Sequence, residues 1–303
     1  MRVLILGGTG MLGHKLWQTF APRFDAYVTL RGDARAYART GLFDPARSLG
    51  GVSAQDFDSV ARAFASVRPE VVVNCVGVVK QDAAAKDPLT SIEVNALFPH
   101  RLARLARGVE ARLVHLSTDC VFSGRAGNYS EGDRPDAEDL YGRTKLLGEV
   151  EGPGCLTIRT SMIGRELAGA HGLLEWFLSQ EGGRVRGFRR AVFSGFTTRA
   201  LAEVIAEVVS RRPDLSGVWH VAADPINKFD LLSLIKEVYG LRVRVEPDET
   251  FVCDRSLAAA RFRAETGIGA PSWPEMIAAL RGDPTPYEEV RAALGFKERV
   301  HAS

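Results

Sequence analysis

The chain has 303 residues, room for about two domains or for one large α/β unit carrying a lobe. Hydrophobic residues at 46% and charged residues at 25% exclude a disordered or fibrous chain. A net charge of +2 gives no basic field for nucleic acid or a membrane surface. The first apolar run, Val3–Leu6, is cut by Gly7-Gly8 too early for a signal peptide. The longest, Val71–Val79, holds Asn74 and falls far short of the roughly 20 residues of a membrane helix. Cys75, Cys120, Cys155 and Cys253 lie far apart with no CxxC pair, against a zinc knuckle or a disulfide framework. A reduced, cytoplasmic protein is expected.

In chain order, Val3-Leu4-Ile5-Leu6 predicts a buried strand, and the glycine-rich turn after it opens a helix toward Phe20. Ala26–Leu30 is the second strand, and a third short apolar run comes just before Phe43-Asp44. Val71–Asn74 and Leu113–Ser117 follow. Between these two, Val94, Leu97, Phe98, Leu102 and Leu105 make a helical stripe that Pro99 should start or kink. Short apolar, β-branched runs separated by helical segments predict βαβ units and a parallel sheet buried on both faces. After Leu156-Thr157-Ile158-Arg159 the regularity weakens. Helices on Leu201, Val204, Ile205, Val208 and on Leu231, Leu234, Ile235, Val238 end before Pro213 and at Gly240. Val218–Val221 between them adds a strand to the main sheet. The expected fold is α/β, a doubly wound parallel (Rossmann) sheet with a smaller interleaved lobe. Residues 1–160, with 191–221 returning, form the sheet domain, and 161–190 with 222–303 form the lobe.

The turn Gly7-Gly8-Thr9-Gly10-Met11-Leu12-Gly13 has glycines at 7, 10 and 13. Without side chains it can tighten, and its N–H groups can approach a pyrophosphate at the helix N-terminus, where the dipole favours an anion. A strand before it and a helix after it supply the context that a lone glycine pattern lacks. Gly7, Thr9, Gly10, Met11, Leu12 and Gly13 are therefore candidate dinucleotide contacts. Their GxxGxxG spacing resembles the short-chain dehydrogenase/reductase superfamily.

The end of the second strand decides which dinucleotide fits. A carboxylate there binds the ribose diol, whereas a cation accommodates a 2′-phosphate. The sequence is Thr29-Leu30-Arg31-Gly32, so Arg31 favours NADP(H), while Asp33 close by leaves NAD(H) open. Arg31 also reads as a solvated surface charge. Asp44 is a candidate for the adenine amino group.

Tyr141 and Lys145 stand four apart, on one face of a helix. An ammonium beside a phenol stabilises the phenolate, which suits it for acid–base work on an alcohol or carbonyl. The preceding strand ends in Ser117, Thr118 and Asp119, hydroxyls and an acid able to meet a substrate carbonyl. The turn, this strand end and the YxxxK helix occur in the order the chemistry needs.

Taken together, the chain resembles the extended short-chain dehydrogenase/reductases, and within them the dTDP-4-dehydrorhamnose reductase family. The resemblance covers nearly the whole chain. It includes Val73-Asn74-Cys75, Val94-Asn95-Ala96, Leu116-Ser117-Thr118-Asp119-Cys120-Val121-Phe122-Ser123-Gly124, Tyr141–Glu149, Leu156–Ser161, and Gly217–Val221 followed by Ile226–Asp230. It implies reduction of a 4-keto-6-deoxyhexose carried on a nucleoside diphosphate. It further implies cofactor contacts at Cys75, Val76, Gly77, Asn95 and Ser117, and substrate contacts at Thr118, Asp119 and Cys120. The rhamnose reductases usually carry tyrosine at position 120 and the sugar 4,6-dehydratases a glutamate. Cys120 therefore argues against a dehydratase and leaves the sugar open, a deoxytalose- or fucose-type product for surface polysaccharide included.

Arg189, Arg190 and Arg255 are candidates for the diphosphate, since guanidinium matches phosphate oxygens bidentately. The six histidines (His14, His100, His115, His171, His220 and His301) show no metal-binding spacing, so no metal is expected. His115 and His220 read as satisfied core residues, Leu173–Leu178 as a lobe helix, and Cys75 and Cys120 as packing residues. A homodimer is left open. Two rival functions share the fold: an epimerase with tightly held NAD, and a non-catalytic regulatory subunit.

Overall fold

The computed structural model describes residues 1–79, 86–169 and 171–295. His301 and the last residues of the expected lobe lie outside them. Six parallel strands come from the first half: β1 (Arg2–Leu6), β2 (Asp25–Thr29), β3 (Ser48–Leu49), β4 (Val71–Asn74), β5 (Arg112–Leu116) and β6 (Cys155–Arg159). The chain then makes β7 (Met162–Ile163), β8 (Arg184–Phe188), β9 (Ala191–Phe193) and β10 (Phe196–Thr197) before β11 (Gly217–His220) returns beside β6. The sheet order is β11-β6-β5-β4-β1-β2-β3, all parallel. From β1 the chain winds outward through β2 and β3, then crosses to β4 on the other side. The gap between β1 and β4 is the switch point where such sheets bind ligands.

Alternation along β1 explains why both sheet faces are covered. Val3 and Ile5 enter one core with Leu16, Phe20, Leu201 and Ile205. Leu4 and Leu6 enter the other with Val60, Phe64, Leu102 and Leu113. Helix Gly13–Phe20 packs against helix Thr198–Arg211 on the first face. Pro99 starts a helix rather than breaking one. A wide π-helical turn, Ile92–Leu97, leads into helix Phe98–Gly108 with the proline in its first turn, where its missing N–H is not needed. The second long helix, Lys228–Tyr239, ends at Gly240 with φ +71°, as its glycine predicts.

Three more short strands complete the second half: β12 (Ile226–Asn227), β13 (Arg244–Asp248) and β14 (Cys253–Asp254). They build a β12-β9-β14 sheet and a β13-β8 pair beside the main sheet. The returning segment 191–221 is therefore split. Ala191–Phe193 pairs with Ile226–Asn227 and Cys253–Asp254 in the small sheet, and only the later part packs on the large one.

Asp44 needs a correction. The third strand is Ser48–Leu49, after Asp44 instead of before it. Asp44 caps the turn Pro45–Arg47 by accepting from Ala46 N at 2.9 Å. Arg47 of that turn lies 3.7 Å from Asp25, at the start of β2 and so at the far end from the glycine turn. The residues that follow β3 toward the switch point are Gly50, Gly51 and Val52, and the last two donate to Gly32 O and Leu30 O. Asp44 is thereby removed from the cofactor contacts.

Candidate active site

Each glycine of the turn answers a steric demand. Gly7 has φ +84°, and a Cβ there would sit 3.2 Å from Val76 N. A Cβ on Gly13 would stand 2.0 Å from the Gly7 carbonyl oxygen, so only glycine lets the helix start against the strand end. The turn is fixed by Gly7 N donating to Thr29 Oγ1 at 3.2 Å, Gly8 N to Thr29 O at 2.9 Å, and Gly10 N to Gly7 O at 3.0 Å. Helix Gly13–Phe20 has no capping side chain and no acid in its first turn, so its N-terminus faces outward with its dipole unopposed. Leu12 is buried in the core, which leaves only its backbone for a ligand. Thr9 lies near Tyr37, a residue on which Arg31 also bears electrostatically.

At the end of β2, Arg31 is exposed, and among the described residues it makes no ion pair. Arg35 and Arg39 follow it on the same surface, also exposed and without an ion pair. Asp33 is occupied, since its carboxylate caps helix Ala34–Ala38 by accepting from Arg35 N at 2.9 Å. The rim of the adenine side is thus cationic.

Helix Leu140–Leu147 presents Tyr141 and Lys145 to the end of β5. Asp139 caps it by accepting from Gly142 N at 2.8 Å. Gly142 lets it lie against the loop after β5, where a Cβ would meet Cys120 O at 2.2 Å. The Lys145 amine is buried and donates to Leu116 O at 2.6 Å. Burial lowers its pKa to about 8, with Glu149 and Cys75 pulling the other way. The Tyr141 phenol lies near Thr118 and is held above the ordinary tyrosine value, by burial first and then by Cys120, Asp119 and Asp139. The Lys145 amine is directed at the Leu116 carbonyl, and the phenol is protonated at neutral pH, the state a proton donor must start from.

Thr118 accepts from Cys120 N at 3.1 Å and donates to Asp119 Oδ1 at 3.2 Å. Ser117 faces elsewhere. Its hydroxyl donates to Glu149 Oε1 at 2.7 Å, inside a buried network in which Glu149 holds Arg159 through two bonds of 2.8 and 2.7 Å. Successive residues of an extended strand point to opposite faces, so Ser117 and Thr118 cannot both face one oxygen. Asn95 is also engaged. Its Oδ1 accepts from Val78 N at 2.9 Å and its Nδ2 donates to Val78 O at 3.0 Å. It positions the loop of Cys75, Val76 and Gly77 rather than presenting its own amide. Gly77 is exposed above it, and a Cβ there would meet Asn95 Oδ1 at 3.3 Å. Burial pushes the Cys75 thiol up to about 12 against the pull of Lys145, which suits a packing residue. His220 is satisfied by Tyr129 O and Arg159. His115 is only half so: its Nδ1 meets Asn74 at 3.0 Å, while its buried Nε2 has no partner.

Of the three arginines, only Arg255 reaches this cluster. Its Nε donates to Phe122 O at 2.9 Å, and it stands close enough to Cys120 and Asp119 for their charges to bear on it. Arg189 is instead turned outward, over the Phe229 ring at 4.7 Å and 3.9 Å from Glu249. Arg190 is exposed beside it, in the turn between β8 and β9. Sequence reasoning missed Lys228, which the small sheet carries toward Asp119 and Cys120. The only signal for it was its place in Ile226–Asp230, behind the last strand of the main sheet.

A family model, the RmlD substrate binding domain, matches residues 1–261. The chain belongs to that family. Among curated proteins it is 36% identical over 149 residues to a dTDP-4-dehydrorhamnose reductase of Streptomyces griseus, covering 49% of this chain and 43% of that protein. It is 30% identical over 168 residues to the methionine adenosyltransferase 2 subunit beta of Danio rerio, covering 54% and 48%. The matched stretches thus span a little under half the length of these relatives. A hypothetical dTDP-4-dehydrorhamnose reductase from Sulfolobus tokodaii superposes with a TM-score of 0.75 at 26% identity, over 90% of this chain and 98% of that one. The Bordetella bronchiseptica enzyme WbmG, in complex with NAD and UDP, shares the fold with a TM-score of 0.76 at 18% identity, over 100% and 99%.

Proposed function

We propose that this chain is a cytoplasmic NADPH-dependent reductase of a 4-keto-6-deoxy sugar carried on a nucleoside diphosphate, serving surface-polysaccharide synthesis. The observation that carries the reading is the placement of Tyr141 near Thr118, on the helix whose buried Lys145 donates to Leu116 O, at the same end of the sheet as the glycine turn. The residues present fit a dinucleotide. The turn has no side chain in the way at Gly7, Gly10 and Gly13, the helix N-terminus has no capping side chain, and among the described residues Arg31 makes no ion pair. When bound, NADPH supplies the hydride.

The protein's part is to hold the carbonyl and give it a proton. Thr118 orients the carbonyl oxygen, and the phenol of Tyr141, kept protonated by burial, transfers its proton there. Lys145 restores charge balance beside the phenolate that remains. The lobe built from 161–190 and 222–295 closes the cleft over the sugar, with Arg255 toward the diphosphate. NADH is the weaker alternative cofactor.

The test is loss of nicotinamide absorbance with dTDP-, UDP- and GDP-linked 4-keto-6-deoxy sugars. Positioned acid catalysis is worth roughly 10²–10⁴-fold, so Tyr141→Phe is expected to lose at least that much kcat while still binding NADPH. Near wild-type turnover in the variant refutes the assignment. The likeness to the methionine adenosyltransferase 2 beta subunit favours a second reading, a chain that binds a protein partner without turnover. Net NADPH consumption by the wild type decides between the two.

A further inference from the structure

Lys228 is the first residue of helix Lys228–Tyr239, and it is placed by the small sheet beside it. Ile226 pairs with Phe193 across β12 and β9. That pairing sets the lysine over the Phe193 ring, with Nζ 4.3 Å from the centroid. The next strand over, β14, pairs Cys253 with Ala191 and leads into Arg255. One three-stranded sheet thus delivers two cations to the end of β5.

The groups that face Lys228 are Asp119 and Cys120 after β5 and Cys253 on β14. Asp119 and Cys120 also bear on the Tyr141 phenol, so the amine belongs to the same cluster as the proton donor. Among the described residues, however, the Lys228 ammonium makes neither a hydrogen bond nor an ion pair. Lys228 is half-buried, and an ammonium partly withdrawn from water without an acceptor is unfavourable. Burial accordingly lowers its pKa to about 8, although Asp119, Cys120 and Cys253 all pull upward. A lysine has three donors and no acceptor, so its complement is a lone-pair oxygen.

We infer that Lys228 is a substrate-contacting residue which donates to an oxygen of the sugar ring or its substituents, and so reads the hexose rather than the nucleotide. The inference deepens the proposed function and rests on it. Two observations point to the sugar instead of the phosphates. The amine sits with Asp119, the residue next to Thr118, whose hydroxyl meets the reacting end of the site. The Asp119 carboxylate and the ammonium together offer a hydroxyl group both an acceptor and a donor.

The experiment is calorimetric titration of the NADP⁺-loaded protein with dTDP-glucose and UDP-glucose, and separately with dTDP and UDP. Wild type, Lys228→Met and Lys228→Arg are compared. A hydrogen bond to a charged group corresponds to about a 10- to 150-fold change in affinity. The methionine variant is expected to lose that factor for the nucleotide sugar and little for the bare nucleoside diphosphate, and arginine should restore part of it. Unchanged NADP⁺ affinity in both variants shows that the fold is intact. Equal sugar-nucleotide binding in wild type and Lys228→Met overturns the inference, as does an equal loss for the bare diphosphates. If the wild type binds the diphosphates but neither sugar adds affinity, the inference fails while a nucleotide site stands. If it binds none of the four, the inference fails and the functional reading is confined to a GDP-linked sugar.

Discussion

Glu149 receives the hydroxyl proton of Ser117 at 2.7 Å on the same carboxylate oxygen, Oε1, that Arg159 Nε reaches at 2.8 Å. One acid thus ties the end of β5 to the end of β6, just beneath the strand turn that carries Thr118. The carboxylate and the guanidinium are both buried, with side chains 6% and 7% exposed. His220 and the Phe122 ring close the other side of Arg159.

Removing one member of such a pair leaves a buried charge uncompensated, which typically costs about 3–5 kcal/mol. Glu149→Gln is therefore expected to lower unfolding free energy by roughly that amount in urea titrations. Ser117→Ala should lose only about 1 kcal/mol, the ordinary value of one hydrogen bond. If Ser117→Ala instead abolishes turnover with stability unchanged, the serine faces the substrate after all.

The Lys145 amine gives a pH dependence whose sign is fixed. Its folded pKa, about 8, lies below its ordinary value of 10.5. Below pH 8 both folded and unfolded chains carry the charge, and the folded state bears the full penalty of burying it. Between about 8 and 10.5 the unfolded chain holds more protons, so stability rises with pH in this window. The stability difference between Lys145→Met and wild type is expected to shrink as pH climbs through that range. A difference that is flat from pH 7 to 10 would show that the amine is not buried as a charge.

For cofactor choice the decisive residue is Arg31. If it meets the adenosine 2′-phosphate, Arg31→Ala loses a charge-assisted bond and NADPH binds about 10- to 150-fold more weakly. NADH affinity changes little. Arg31→Asp moves the preference further, because a carboxylate repels the phosphate and accepts from the free ribose diol. Ratios of kcat/KM for the two cofactors measure this. Equal losses with both cofactors would confine Arg31 to packing.

The parts of the site that could be read in the sequence are those set by short-range geometry. The glycine turn and the Tyr141–Lys145 spacing depend on seven and five consecutive residues, and their steric logic survives intact in the fold. Asp44 was misplaced because β3 is two half-buried residues with no apolar run to announce it. Ser117 was misassigned because residue type does not reveal which face of the strand it takes. Lys228 could not be found this way, since a pairing between Ile226 and Phe193 brings it to residues more than a hundred positions earlier.

The helix that opens at the glycine turn depends on residues far along the chain. Lys15 is buried, and its ammonium is neutralised by Asp283 and held by Thr285 Oγ1 at 2.8 Å. Its neighbour His14 reaches Tyr287 at 3.1 Å. A chain emerging from the ribosome therefore carries this helix, with only Gln18 and Gly10 to meet Lys15 and His14, long before their partners at 283–287 exist. Until residues 283–287 arrive, that helix can bury its leucine and phenylalanine but not its lysine. The glycine-turn end of the sheet is thus made some 270 residues before the segment that completes it, a closure of very long contact order.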